Sequence, residues 1–236
     1  MSDDIFIPPK HPAFSYKVDY VGREQQPVLV VDNFLDGAEA LVGFAMEYGE
    51  FRQGRDFYPG IQSKVPPFYT LALYTYLRDI IATTFSIAVQ DIEYSKSVYS
   101  VMLTPPDKLL VTQSRPHTDS LSTNQLATVH YLCTPDKGGT SLYRHRATGY
   151  ESLDTAKFAE YEKFLAQEER DTSWQRKYIT GSNQYYEEIG GYEASFNRLI
   201  MYRGNCLHSA SVPANFSFEA NPVKGRLTLN SFIYSR

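Results

Sequence analysis

From Ile92 to the C-terminus the spacing of apolar residues changes from helical to strand-like, and that change limits the second half of the chain to sheet. Tyr94–Leu103 and Leu126–Leu132 are rich in β-branched and aromatic side chains, and strands return at Ala194–Tyr202 and Arg226–Tyr234. The interruptions are local. Thr104–Asp107 forms a Pro-Pro turn, Asp154–Arg170 reads as a charged helical insertion, and Pro213, Asn215, Asn221 and Pro222 mark a loop before the last strand.

The first half reads differently. Residues 1–26 are polar and Pro-interrupted, an arm or a short edge strand, and Pro27–Val31 is a β-branched run. An apolar-periodic stretch ending near Tyr48 predicts a helix, residues 49–67 with Gly54, Pro59, Gly60, Pro66 and Pro67 predict a loop, and Tyr69–Phe85 has helical spacing again. No repeat, low-complexity tract or linker divides the 236 residues. One domain is therefore expected, mainly β with flanking helices: a helical support region over about 1–90, a sheet core over about 91–236, and a helical insertion at 146–190.

Composition narrows the partners. The formal charge of -4 and a pI near 5.8 supply no basic field to collect phosphates, so no nucleic-acid partner is expected. No apolar run approaches the roughly 18–20 residues that span a bilayer, and the acidic, Pro-containing N-terminus is unlike a signal peptide. Cys133 and Cys206 are too few for a disulfide framework and suit a reducing cytoplasm, each as a small buried strand residue. The 19 tyrosines favour a strand-rich fold with polar pockets. An exposed edge strand leaves a homodimer open.

The chemistry starts at Arg115-Pro116-His117-Thr118-Asp119, just before the strand at Leu126. In extended backbone, residues i and i+2 share a face, so the His117 imidazole and the Asp119 carboxylate can converge on one ion. His208, following the apolar strand Leu199–Tyr202, is the candidate third ligand. Two histidines and a carboxylate leave the opposite coordination positions open, the arrangement of non-haem Fe(II) oxygenases. His-x-Asp alone is a weak signal, matched as easily by a solvated loop. Arg226 adds a guanidinium fork suited to a carboxylate, with the Thr228 hydroxyl on the same face, and Leu227, Leu229, Phe232 and Ile233 mark that strand as buried.

This ordering resembles the 2-oxoglutarate and Fe(II)-dependent dioxygenase superfamily, particularly its prolyl-hydroxylase-like branch. His-x-Asp, then Gly138-Gly139, then His208, then Arg226 follow the family's order, and Val30-Val31-Asp32-Asn33-Phe34-Leu35 looks like the branch's opening strand and corner. Ala127–Cys133 followed by Gly138–Leu142 is similar to its second core strand and glycine turn, and Arg198–Tyr202 to the strand that delivers the distal histidine. The resemblance implies a double-stranded β-helix, or cupin-like jelly roll, with His117, Asp119 and His208 on Fe(II). It implies that Arg226 pairs with the distal carboxylate of 2-oxoglutarate, with Thr228, Tyr131 and Tyr99 as auxiliary contacts. The His208–Arg226 spacing exceeds the family's, which makes the 211–222 loop an insertion; Arg203 is the competing carboxylate partner, and His130 and His145 the competing ligands.

The implied activity uses O2 and couples decarboxylation of 2-oxoglutarate to oxidation of a C–H bond on a small molecule or a peptide. Hydroxylation is favoured over halogenation, because halogenating relatives lack a carboxylate at the Asp119 position. The alternatives from other classes are a non-catalytic jelly-roll binding protein with a degenerate site, and a cupin-type isomerase, which would use more histidines. Two features concern the substrate. The 146–190 insertion with Trp174, Tyr178, Tyr185 and Tyr186 is either a lid or a helix packed on the barrel, and Arg144-His145-Arg146 is either an anion-recognising cluster or a charged strand end.

Overall fold

The computed structural model describes residues 6–54, 58–171 and 176–236. In chain order the elements are β1 (Ser15–Val21), β2 (Gln26–Asp32), α1 (Glu39–Tyr48), β3 (Arg52–Gln53), β4 (Gly60–Lys64) and α2 (Pro67–Phe85). They continue with β5 (Ile92–Met102), β6 (Gln125–Tyr131), β7 (Gly139–His145), α3 (Thr155–Glu168), β8 (Tyr186–Glu193), β9 (Arg198–Arg203), β10 (His208–Ser211) and β11 (Leu227–Ser235). An eight-stranded antiparallel sheet runs β1-β2-β9-β6-β11-β5-β4-β3, and a three-stranded one runs β10-β7-β8. The pairs β2-β9, β9-β6, β6-β11, β11-β5 and β10-β7 join strands distant in sequence, which is the winding of a double-stranded β-helix. The mainly β jelly roll with flanking helices is the architecture expected from the sequence.

Each face of the large sheet has a different cover. On the outer face, α2 presents Tyr69, Leu73, Leu77, Ile81 and Phe85, one turn apart, to Tyr99, Leu199, Met201 and Leu229. Proline at the first position of α2 suits a site whose backbone N–H would be unpaired anyway. The inner face carries the alternate residues. Ala127, Tyr131, Ile200 and Tyr202 pack there with Leu142 of the small sheet. Among the described residues no helix is long and apolar enough to cross a membrane.

The structure corrects three segment readings. The 49–67 stretch is not all loop: β4 pairs with β5 from Gly60↔Met102 to Lys64↔Val98. Gly60 misleads because glycine signals a turn, whereas here a Cβ would sit 2.0 Å from the Val101 carbonyl oxygen and only glycine permits the approach. The 146–190 insertion also ends early. Asp154 caps α3 by accepting from the Lys157 N–H (2.8 Å), but Tyr186 already begins β8, and Gly190-Gly191 lies inside a strand. Ala194–Tyr202 likewise becomes a turn leading into β9, with Asn197 in the left-handed region (φ 63°).

Asn197 ties this turn to the N-terminal region. Its Oδ1 accepts from the Leu35 N–H (3.1 Å) and its Nδ2 donates to the Leu35 carbonyl (2.8 Å). An acceptor-only oxygen 3.1 Å from His130 Nε2 makes that nitrogen the donor, leaving His130 Nδ1 to accept from the Tyr69 hydroxyl (3.1 Å). Asn197→Ala leaves three buried groups without partners and should destabilise the fold by about 3 kcal/mol or more in urea unfolding; a loss below about 1 kcal/mol contradicts this role.

Candidate metal centre

The segment before β6 is brought to the small sheet by backbone bonds. His117 N–H donates to the His208 carbonyl and His208 N–H to the His117 carbonyl, both at 2.9 Å, so residue 117 continues the sheet beyond β10. Two residues on, Asp119 N–H donates to the Gly204 carbonyl (2.8 Å), inside the turn that joins β9 to β10. These contacts put the imidazoles of His117 and His208 at 4.5 Å between centroids. Asp119 Oδ1 lies 3.9 Å from His117 Nε2, and Oδ2 lies 3.5 Å from His208 Nε2.

The potential ligand atoms of His117, Asp119 and His208 all lie within 4.8 Å of one another, which makes them a candidate metal cluster among the described residues. The histidines are in the state that a metal needs. Burial pushes His208 down to about 4, against the Cys206 carbonyl that accepts from its Nδ1–H at 2.9 Å. That bond leaves the Nε2 lone pair turned toward Asp119. His117 keeps 53% of its side chain open to the cavity, yet the loss of bulk water around it and then His208 push it to about 4, against the pull of Asp119. Both are neutral at neutral pH and present lone pairs.

The competing histidines lie elsewhere. His130 points to the outer face between Tyr69 and Asn197, and burial pushes it to about 4. His145 is fixed between Thr148 (2.9 Å) and Glu168 (2.7 Å), packed on Tyr161 and Phe164 of α3.

Arg226 lies just before β11 with 3% of its surface exposed. Its Nη2 donates to the Gly139 carbonyl (2.9 Å) and its guanidinium stands over the Tyr131 ring at 5.6 Å. No carboxylate among the described residues pairs with it, and its Nε and the buried Thr228 hydroxyl have no hydrogen-bond partner of good geometry there. Tyr58 lies beside both: burial raises its phenol to about 12, against Arg226 and Thr228. A buried cation with an unused donor is costly unless an anion meets it. This donor set fits a ligand carboxylate.

Two expected auxiliary contacts need correcting, and the competing arginines find other places. Tyr99 does not reach this pocket: it points to the outer face and its hydroxyl donates to the Leu41 carbonyl (2.8 Å), because the register puts it in phase with Leu229 and His130. Tyr131 does lie beside Arg226, but its hydroxyl is engaged with Thr140 Oγ1 (2.7 Å). Arg203 is excluded as the carboxylate partner, since its guanidinium donates to the Thr123 and Phe85 carbonyls. Arg144 is neutralised by Glu151 and Glu187, and Arg146 bonds the Asn183 carbonyl, so the Arg144–Arg146 cluster is structural. Tyr58 was missed. It falls in a stretch read as loop, and only its proximity to β11 in space signals its role.

A cavity of about 930 Å³ joins these parts. His117, Asp119 and His208 line it together with Tyr58, Tyr178 and Arg226. Phe158, Tyr161 and Leu165 place the inner side of α3 against it, while Tyr186 bonds Tyr161 (2.9 Å) behind. Arg115, two residues before His117, pairs with Glu169 at the end of α3 (2.9 Å), tying the helix to the metal loop. The helix therefore both packs on the barrel and covers the site. Trp174 lies outside the described residues.

Comparison with known proteins adds three findings. Residues 12–233 match DUF6445, a family of unknown function. No curated protein matches. Among solved structures, the chain resembles the non-heme alpha ketoglutarate dependent epimerase SnoN from nogalamycin biosynthesis (TM-score 0.52, 11% identity, 90% of this chain and 79% of that one). It also resembles the non-heme alpha ketoglutarate dependent carbocyclase SnoK from the same biosynthesis (TM-score 0.52, 13% identity, 90% and 81%). A further SnoN structure holds Fe3+, alpha ketoglutarate and nogalamycin RO (TM-score 0.52, 13% identity, 90% and 80%). At such identities the likeness establishes the fold.

If His117, Asp119 and His208 act as one site, Asp119→Ala should weaken binding of Ni(II) by more than about 100-fold, beyond the loss typical of outer-sphere partners. Calorimetric titration checks this, with circular dichroism confirming the fold; unchanged affinity would remove Asp119 from the site.

Proposed function

The chain belongs to the DUF6445 family, and we propose that it is an Fe(II)- and 2-oxoglutarate-dependent oxygenase, a hydroxylase of a small molecule. The observation that carries the reading is the buried Arg226, unpaired with any carboxylate among the described residues and lining the same cavity as the His117, Asp119 and His208 cluster. A pure binding module has no need of both. The solved structures of like fold include one that holds Fe3+ and alpha ketoglutarate, and the motif order of the prolyl-hydroxylase-like branch supports the same assignment.

His117, Asp119 and His208 would hold Fe(II), leaving positions open for a chelating cosubstrate and O2. Arg226, with the Thr228 hydroxyl and the Tyr58 phenol beside it, would receive the far carboxylate of 2-oxoglutarate by charge-assisted bonds. When bound, the iron and 2-oxoglutarate supply the oxidising power for attack on a C–H bond. The protein supplies placement. The Cys206 carbonyl holds the proton on His208 Nδ1, and Tyr131 beneath the guanidinium keeps Arg226 in place. Phe158, Tyr161 and Leu165 exclude water from the covered side.

The cavity under α3 favours a small molecule over a peptide, which would need an open groove. The buried free thiols of Cys133 and Cys206 support a cytoplasmic setting. Arg226→Ala should weaken 2-oxoglutarate binding by about 30-fold or more, as removal of one partner of a buried charge pair does. Succinate released from 2-oxoglutarate by the Fe(II)-loaded protein is the readout. Succinate from wild type that falls with Arg226→Ala supports the assignment; none from wild type at saturating 2-oxoglutarate and O2 refutes it.

A further inference from the structure

The cavity has a second set of unused groups, away from Arg226, and all of them accept. Gln125 is 4% exposed and lines the cavity; its Nε2 donates to the Tyr234 hydroxyl (3.0 Å), and its Oε1 is buried with no partner among the described residues. Its place is fixed by the metal loop's own anchor. Gly204 N–H donates to the Gln125 carbonyl, and the Gly204 carbonyl in turn accepts from Asp119 N–H, both at 2.8 Å. A Cβ on Gly204 would stand 3.1 Å from Gln125 Oε1, so the unused oxygen lies beside the β9–β10 turn that anchors Asp119.

Asn230 repeats the pattern on β11. Its Nδ2 donates to Ser100 Oγ (3.2 Å), while its Oδ1 is buried without a partner among the described residues. On α3, Glu162 lines the cavity, its side chain at the rim, with no ion pair among the described residues. Of the cations nearby, Arg115 pairs with Glu169 and Arg226 belongs to the cosubstrate on the reading above, while Lys96 lines the cavity from β5. Phe158, Leu165 and Phe232 give the same cavity an apolar part.

We propose that the substrate of this cavity is a small molecule with an apolar body that presents hydroxyl and protonated-amine donors to Gln125, Asn230 and Glu162. The inference rests on the oxygenase reading for the identity of the site, but its physical basis is separate. Each buried carbonyl oxygen left without a donor is unfavourable, and a ligand N–H or O–H relieves it. A carboxylate substrate would bring a further acceptor against three acceptors and gain nothing. Glu162 at the rim favours a cation over a neutral donor of the same shape.

The test compares three probes on one ring: trans-4-aminocyclohexanol, trans-cyclohexane-1,4-diol and trans-4-hydroxycyclohexanecarboxylate. Binding is measured by thermal shift and calorimetry on the full chain, alone and with Ni(II) and 2-oxoglutarate, so that no turnover is needed. The amine should bind on the order of tenfold more tightly than the diol, as one charge-assisted bond gives, and the carboxylate most weakly. Glu162→Gln, a change at the rim that the fold tolerates, should remove the advantage of the amine. Gln125→Met should weaken amine and diol alike while 2-oxoglutarate affinity holds.

Binding of the carboxylate as tight as that of the amine, indifference of amine binding to both variants, or absence of binding by all three probes overturns the proposal. Failure of 2-oxoglutarate to bind while the amine preference persists overturns the oxygenase reading instead and leaves this one standing.

Discussion

The two reciprocal backbone bonds between His117 and His208 are the constraint on which the site depends. A loop residue and a strand residue 91 positions apart become cross-strand neighbours, and their imidazoles converge because cross-strand pairs point the same way. Asp119 follows from this. Once 117 is paired, residue 119 falls on the same face, and its own N–H is caught by Gly204. The placement of the three side chains is thus set by main chain, which holds it without demanding particular neighbouring side chains.

The large sheet divides the remaining work by parity. One set of alternate residues on β5, β6, β9 and β11 meets the helices and serves stability: Tyr99, His130, Leu199 and Leu229. The other set meets the small sheet and the cavity, with Thr228, Asn230 and Phe232 in succession on β11. On the outer face the chain from Tyr69 through His130 to Asn197 is satisfied, whereas the Tyr94 hydroxyl beside Tyr74 has no partner among the described residues. On the inner face Arg226 Nε, Thr228 Oγ1, Gln125 Oε1 and Asn230 Oδ1 have no partner among the described residues. Most of the unsatisfied side-chain atoms thus lie on the inner face, the face that borders the cavity.

Much of this was legible in the sequence. The change of period at Ile92, the His-x-Asp pair and a basic residue opening a buried last strand are local patterns, and the strands and helices that carry them lie close to where the pattern puts them. The misses share one cause. Tyr99 was assigned to the pocket because its strand was right and its face was not, and a face depends on register, which is a pairing property absent from the strand itself. Gly60 read as part of a loop because close approach by another backbone leaves the same mark as a bend. Tyr58 carries no motif, and its place beside Arg226 arises only when β4 joins β5.

The most direct test is spectroscopic: anaerobic titration of the Fe(II)-loaded protein with 2-oxoglutarate, in wild type and in Arg226→Ala, watching for the visible charge-transfer band of the chelated complex. The account predicts a band that saturates in wild type and needs far more 2-oxoglutarate in the variant. Iron that binds at His117, Asp119 and His208 yet yields no band at any 2-oxoglutarate concentration would contradict it.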